Sequence, residues 1–300
     1  MEEHRPVMLT EVLYFLDVSP GKRFIDATLG LGGHTEAILQ AGGEVLGIDQ
    51  DPRSLVTAKR RLKACPGRYR TVPAPGVFKG VHGNFSRISE IASKEGWSKV
   101  DGILFDLGFS SFQIEDPGYG LSFTHPGPLD MRLDPSLGVT AADLVNSLPE
   151  NELERLFREV GEEPRAHKVA RAIIRKRSVA PIKTTTELAN LVEGVSSNHT
   201  QRGIHPATRV FMALRIVVNS ELDNLEESLA QVPDLLKKSG RLVVISFHSG
   251  EDRIAKTFIK GKEKMGVFKN LTTKPVRPSE GEVRGNPRSR SSKLRGAEKI

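Results

Sequence analysis

Cysteine is nearly absent from this sequence, and long hydrophobic runs are missing altogether. Cys65 is the only cysteine among 300 residues, which excludes an intrachain disulfide and a zinc site built from cysteines. No apolar run is long enough to span a bilayer, and the opening residues MEEHRP do not resemble a signal peptide. We therefore expect a cytoplasmic protein without a membrane partner.

The excess positive charge is concentrated near the end of the sequence. Residues 260–300 hold twelve Lys or Arg and four acids, a surplus of eight that exceeds the net charge of +7 for the whole chain. This segment is rich in Pro, Ser and Gly and lacks a continuous helical pattern, so it could follow a phosphate backbone and become ordered on contact. A solubilising tail is the alternative interpretation. A second basic cluster, at 165–177, has apolar residues at helical spacing, so one face is expected to pack while another either meets phosphate or is simply solvated.

Glycines follow the first predicted strand, which ends at Asp26. Gly30, Gly32 and Gly33 allow a sharp turn into a helix and a close approach of a ligand to the backbone. A dinucleotide-binding turn needs glycine or alanine three positions after its second glycine, where this chain has Thr35. The spacing therefore argues against a nicotinamide cofactor.

The acids at the strand ends favour a cationic ligand. Asp26 would repel a pyrophosphate but attract the sulfonium and ammonium groups of S-adenosylmethionine. Asp49 ends the next strand, where a carboxylate can accept hydrogen bonds from ribose hydroxyls. The alternative is a tight turn whose acids only cap and solvate it. We predict S-adenosylmethionine as the cofactor, with Asp26 among the residues that bind it.

The spacing of the predicted strands indicates an insertion. Strands at 100–106 and 240–247 are separated by helical patterns at 141–148, 150–160, 165–177 and 185–195, and a further long helix follows at 205–219. We predict an α/β fold, a Rossmann-like (class I) methyltransferase sheet with an inserted all-helical subdomain. Its parts are a first core segment at 1–114, a helical insert for substrate recognition at 115–203, and a second core segment with the basic tail at 204–300.

Asp106 is the first candidate for chemistry, because it ends a strand where such a sheet opens its ligand crevice. The lone pair of an exocyclic amine is delocalised into its ring, so an acceptor on its N–H would help methyl transfer and could take the proton. Asp106 could instead cap the next turn or bind the ammonium of the cofactor.

Several motifs together resemble one family. The chain is similar to the MraW family, the ribosomal RNA small-subunit methyltransferases H, which methylate N4 of a cytidine in the decoding region of that RNA. The resemblance rests on the segments HRPVM (4–8), GGH (32–34), GNFS (83–86), DLG (106–108), GPLDMR (127–132), HPATR (205–209), SFHS (246–249) and NPRSR (286–290).

The resemblance implies a set of site residues at the matching positions. It implies that the cofactor is bound by Gly32, Gly33, His34, Asp49, Phe85, Asp106 and Gln113. We expect the RNA, within an assembled or nearly assembled 30S particle, to be held by Arg132, Arg209 and the tail residues Arg288, Arg290, Lys293 and Arg295. No metal is expected.

Three other classes of protein remain as alternatives. A nicotinamide oxidoreductase would share the fold, and a non-catalytic RNA-binding assembly factor would share the basic tail. A methyltransferase that acts on DNA or protein is excluded only by the family resemblance. His248 is either a base or a loop histidine, and the stretch at 71–80 is interpreted as a lengthened loop.

Overall fold

A computed structural model describes residues 5–63, 77–196 and 205–300 of the chain. The chain divides into two compact units. The first comprises Met1–Gly108 with Leu222–Ile300, and the second comprises Phe109–Glu221. Cys65 and most of the predicted loop at 71–80 lie outside the described residues.

The first unit contains a seven-stranded sheet with the order β3-β2-β1-β4-β5-β7-β6. Strands β1 to β5 pair in parallel, and β7 runs antiparallel to both β5 and β6. This mixed sheet agrees with the class I methyltransferase fold predicted from the sequence. The strands are β1 (Arg23–Asp26), β2 (Glu44–Asp49), β3 (Phe78–His82), β4 (Val100–Asp106), β5 (Leu236–Ser246), β6 (Phe268–Asn270) and β7 (Lys293–Lys299).

Apolar clusters pack on the central parallel strands β1, β2 and β4, which are mostly buried, whereas the edge strand β3 is half-exposed. Phe24 and Phe105, from the neighbouring strands β1 and β4, are fully buried in two separate apolar clusters. The helices of this unit are α1 (Leu9–Leu16), α2 (Gly33–Gln40), α3 (Pro52–Lys63), α4 (Ile88–Lys94), α11 (Glu221–Leu235), α12 (Ser249–Lys264) and α13 (Glu280–Gly285).

The second unit is helical and has an apolar core of its own. Its helices match the predicted ones closely, although the predicted helix at 150–160 ends in a π-helical turn at Leu156–Val160. The helices are α5 (Ser111–Glu115), α6 (Ala141–Ser147), α7 (Glu150–Arg155), α8 (Ala166–Arg177), α9 (Thr185–Ser196) and α10 (Ala207–Val218).

The helical unit is larger than the segment 115–203 expected from the sequence. Helix α10 lies beyond that segment, yet its Val210, Phe211 and Leu214 are buried in the same core as Ile173 of α8. Because its apolar face packs into this core, α10 is part of the helical unit, although it leads along the chain toward β5.

The basic C-terminal segment is folded, contrary to the expectation of a tail that orders on contact. Its last part forms β7, which lies between β5 and β6 and buries Leu294 and Ala297. The charged residues along β7 conceal the alternation of a strand in the sequence. Within the described ranges, no helix is both long and apolar enough to cross a membrane.

Candidate functional site

Three carboxylates end three adjacent parallel strands of the sheet. Asp49 ends β2, Asp26 ends β1 and Asp106 ends β4, and these strands are neighbours in the order β2-β1-β4. The carboxyl ends of parallel strands share one edge of a sheet, which is where ligands bind in open α/β folds. The prediction that these three acids end strands is confirmed.

The glycine turn between β1 and α2 is tied to the end of β2. Gly30 and Gly32 have φ angles of 51° and 79°, in the left-handed region that favours glycine. The backbone N–H of Gly30 donates to Oδ2 of Asp49 at 2.6 Å, and the N–H of Asp51 donates to Oδ1 at 2.8 Å. Burial raises the pKa of Asp49 to about 7, although these two hydrogen bonds oppose the shift. Each oxygen keeps a further lone pair that could accept a ligand hydroxyl.

Asp26 lies beneath the turn rather than open to solvent. Its side chain is 1 % exposed, and Oδ2 accepts a 2.7 Å hydrogen bond from the hydroxyl of Thr35. Oδ1 accepts a longer bond, 3.3 Å, from the backbone N–H of Thr28. Burial raises the pKa of this carboxyl despite these donors. The contacts give Asp26 a role in holding the start of α2 against the end of β1; its predicted contact with the cofactor stays a prediction.

Asp106 has a histidine as its closest charged neighbour. Nε2 of His34, in the first turn of α2, lies 3.2 Å from Oδ2 of Asp106. The backbone N–H of Asp106 donates to the hydroxyl of Thr28 at 2.6 Å. Although burial alone lowers the pKa of His34, the carboxylates of Asp106 and Asp26 raise it overall. The structure thus brings together two residues that the sequence predicted separately.

Phe85 and Gln113 occupy well-defined positions. Phe85 begins a 3₁₀ turn capped by Asn84 and packs edge to face on Phe105, with 5.8 Å between the ring centroids. Gln113 belongs to the helical unit, where Oε1 accepts a 2.8 Å hydrogen bond from the N–H of Ser110 in a capping box. The predicted contacts of both residues with the cofactor stay predictions.

Two of the predicted RNA-binding cations at the C-terminus have structural partners. The Nε of Arg295 donates to Asp252 at 2.7 Å, and this arginine is buried. Lys293 lies 3.3 Å from the same carboxylate. The predicted contact of Arg295 with RNA stays a prediction, and its burial and its pair with Asp252 argue against it. Arg288 and Arg290 are exposed.

Arg132 also has hydrogen-bond partners within its own unit. Its guanidinium makes a bidentate pair with Asp130, at 2.7 and 2.8 Å, and donates to the carbonyls of Pro135 and Leu137. Arg209, by contrast, is half-buried on α10. The GPLDMR motif thus stabilises a loop of the helical unit.

Sequence reasoning missed two threonines and an aspartate. Thr28 and Thr35 flank the glycines and hold Asp106 and Asp26, and Asp252 neutralises the cations of β7. The threonines lie within the stretch singled out from the sequence, but nothing in its pattern shows which carboxylates they contact.

The sheet order, the glycine turn and the acids at three strand ends define a class I methyltransferase, the class that uses S-adenosylmethionine. The chain belongs to the MraW methylase family, whose profile matches residues 1–300.

Relatives named ribosomal RNA small subunit methyltransferase H match nearly the whole chain. The one from Thermomicrobium roseum is 47% identical over 315 residues, covering 99% of this chain and 94% of the relative. Those from Carboxydothermus hydrogenoformans and Deinococcus radiodurans are 44% and 45% identical, each over 99% of this chain and over 98% and 89% of the relative. Among solved structures, an rRNA methylase from Streptococcus thermophilus has a TM-score of 0.45 at 11% identity, covering 100% of this chain and 99% of that one.

Proposed function

We propose that the protein transfers a methyl group from S-adenosylmethionine to N4 of a cytidine in the decoding region of small-subunit ribosomal RNA. The observation that carries this proposal is Asp106, which ends β4 and keeps a buried Oδ1 without a hydrogen-bond partner among the described residues. A buried acceptor of this kind is costly unless a ligand completes it. The relatives named for small-subunit ribosomal RNA support the choice of RNA.

The residues at the strand ends fit the cofactor. Gly30 and Gly32 keep the turn free of side chains, so a ligand can approach its backbone. Asp49, already fixed by two backbone donors, has lone pairs for the two ribose hydroxyls. Phe85 offers a half-buried ring that suits the adenine.

S-adenosylmethionine supplies an electrophilic methyl group, so that a new N–C bond forms at N4 while the C–S bond electrons return to sulfur. Asp106 accepts a hydrogen bond from the N4 amino group, which localises the nitrogen lone pair for the attack. The methylated nitrogen then carries a positive charge and loses a proton to the carboxylate of Asp106. The carboxylic acid formed there passes the proton to solvent, and the carboxylate is regenerated.

The target cytidine has to be unpaired or flipped out, because N4 lies on the Watson–Crick edge of the base. Three cations that are exposed or half-buried, Arg209, Arg288 and Arg290, are our candidates for the RNA backbone. We propose the assembled or nearly assembled 30S particle as the substrate and the cytoplasm as the place of action.

The deciding experiment measures transfer of labelled methyl to small ribosomal subunits that lack this modification, followed by nucleoside analysis. We expect the label in N4-methylcytidine. Naked ribosomal RNA, DNA and a protein extract serve as parallel substrates. Label in another nucleoside, in DNA or in protein would contradict the assigned target.

The same assay with variants tests the site. We expect Asp106→Asn to reduce turnover by about 100-fold or more, as removal of a general base does. Asp223→Asn is the matched control, because Asp223 is an exposed acid on α11. Equal turnover in both variants would contradict the role of Asp106. Binding of a nicotinamide nucleotide in place of S-adenosylmethionine would favour the oxidoreductase.

A further inference from the structure

Buried polar atoms without hydrogen-bond partners are concentrated in one pair of residues. Among the described residues, seven buried side-chain N or O atoms lack such a partner, and three of the seven are Nδ1 and Nε2 of His34 and Oδ1 of Asp106. Native proteins leave few such groups, and each calls for an explanation. Their concentration here indicates a site that is completed during the reaction.

Different elements of the first unit position the two residues of this pair. His34 lies in the first turn of α2 and is 5 % exposed, and its Nε2 is 3.2 Å from Oδ2 of Asp106. That distance suits an ion pair, although the ring N–H is not aligned for a straight hydrogen bond. On the other side, the backbone of Asp106 is anchored to Thr28.

The surroundings favour an imidazolium at this position. Three carboxylates act on the ring of His34: Asp106 from β4, Asp26 from β1 and Glu282 from α13. Burial opposes the charged ring, but the carboxylates outweigh it and raise the pKa. With His34 charged, the half-buried carboxylate of Asp106 has a compensating positive charge beside it.

We infer that His34 is a positioning residue for the methyl-transfer step: its ring lies against Oδ2 of Asp106 and thereby fixes the orientation of this half-buried carboxylate toward the amino group of the substrate. This inference rests on the proposed function and adds to it. His34, the histidine of the GGH motif, would then orient Asp106 in addition to making the cofactor contact implied by the family resemblance.

Orientation matters more than base strength at this carboxylate. A methylated exocyclic nitrogen that carries a positive charge is strongly acidic, so a carboxylate of ordinary basicity takes its proton readily. A carboxylate free to rotate, however, would present its oxygens to the amino group only part of the time. Fixing one oxygen removes this loss, and an error of about 1 Å in such placement costs roughly 100-fold in rate. His34 keeps its own proton throughout.

The test is a double-mutant cycle in the full-length protein, with small ribosomal subunits as substrate. We expect His34→Ala to lower kcat by about 100-fold and to raise the Kd for S-adenosylhomocysteine by a smaller factor, because the predicted cofactor contact is lost as well. His34→Gln restores kcat to within about tenfold of the wild type, because its amide can still donate toward Asp106. The double variant His34→Ala/Asp106→Asn is no slower than Asp106→Asn alone.

The matched control is His125→Ala, since His125 is an exposed histidine of the helical unit. Its kcat stays at the wild-type value. Losses that multiply in the double variant, or a large rise in Kd with unchanged kcat in His34→Ala, would overturn the positioning role. A loss of thermal stability in His34→Ala that His34→Gln does not repair, together with a low kcat in both, would also overturn it.

A second measurement does not depend on activity. The ¹⁵N chemical shifts of the His34 ring, followed against pH, report its protonation in the wild type and in Asp106→Asn. We expect the midpoint to be lower in the variant, because the Asp106 carboxylate no longer favours the charged ring, and an unchanged midpoint would overturn the pairing. If the wild type forms no N4-methylcytidine, the proposed function fails instead, while the titration still decides the relation between the two residues.

Discussion

The hydroxyl of Thr28 accepts a 2.6 Å hydrogen bond from the backbone N–H of Asp106. Thr28 follows β1 by two residues and Asp106 is the last residue of β4, so this bond joins the ends of two adjacent strands. The N–H of Thr28 also donates to Asp26. One threonine therefore links the backbone of Asp106 to the carboxylate of Asp26.

Replacing Thr28 should affect both stability and turnover. In Thr28→Val the N–H of Asp106 loses its acceptor, so we expect the free energy of unfolding to fall by about 1–2 kcal/mol. Because Asp106 then shifts, kcat should fall by about tenfold or more. Thr28→Ser retains the hydroxyl and should behave like the wild type. Denaturant unfolding and methyl-transfer kinetics check the two effects, and equal values for Thr28→Val and the wild type would contradict them.

Substitutions of Arg295 and Arg290 distinguish an effect on protein stability from an effect on RNA binding. Arg295→Gln removes the charged hydrogen bond to the half-buried Asp252, which then keeps Lys293 as a neighbouring cation, so we expect a loss of about 2 kcal/mol in the free energy of unfolding. Arg290→Gln, at an exposed position, should leave stability unchanged and lower the salt dependence of RNA binding by about one charge. Thermal melts and binding titrations at several salt concentrations measure this. The reverse pattern would restore Arg295 as an RNA contact.

Deleting the chain after Asn286 cannot replace these point substitutions. The deletion removes β7, which pairs with β5 on one side and β6 on the other. Loss of RNA binding in such a protein would report an incomplete sheet. Only substitutions of exposed cations test the contact itself.

Arg132 and Arg209 form a second pair of contrasting arginines, both in the helical unit. Arg132→Gln breaks the bidentate bond to Asp130 and the bonds to two carbonyls, so we expect the melting temperature to fall by several degrees. The slope of RNA affinity against salt should not change. Arg209→Gln should reduce this slope by about 1 and leave the melting temperature unchanged. A reduced slope in Arg132→Gln, in a protein that melts normally, would return Arg132 to the RNA-binding set.

The sequence predicted what depends on short-range pattern. Strand β4 was expected at 100–106 and is found at Val100–Asp106, because a buried apolar run ending in an acid is visible without tertiary information. The same holds for helix α8, whose apolar stripe defines its buried face. The acids at the strand ends follow from the strands themselves, since parallel strands place their carboxyl ends at one edge.

The sequence could not predict what depends on a distant partner. The burial of Arg295 requires Asp252, which is 43 residues away on α12. The pairing of His34 with Asp106 requires β1 and β4 to be neighbours, which the order of strands along the chain does not show. For the same reason, helix α10 was expected in the second core segment and is found in the helical unit. Its apolar residues show that one face is buried but not which core that face joins.

Asp49 predicts a pH dependence of cofactor binding. Burial raises its pKa to about 7, and the neighbouring carboxylates of Asp51 and Asp26 add to the shift. In the free protein below this pH the carboxyl is protonated, and it must lose the proton to accept bonds from both ribose hydroxyls. The affinity for S-adenosylhomocysteine should therefore weaken by up to about tenfold for each pH unit below 7 and be level above it.

The same shift has a consequence for stability, and its sign is fixed. A folded-state pKa above the unfolded value favours the folded state at low pH, and this contribution is lost as the pH rises through about 7. The bound nucleoside should offset that loss, so the stabilisation by ligand is expected to be larger at about pH 8 than at about pH 6.

Asp49→Asn has no titrating group at this position, so its binding should be weak and independent of pH over this range. Calorimetric titration of both proteins measures the slopes. A slope that persists in Asp49→Asn would belong to another group, and His34, in the first turn of α2, would be the one to test next because its pKa is also raised.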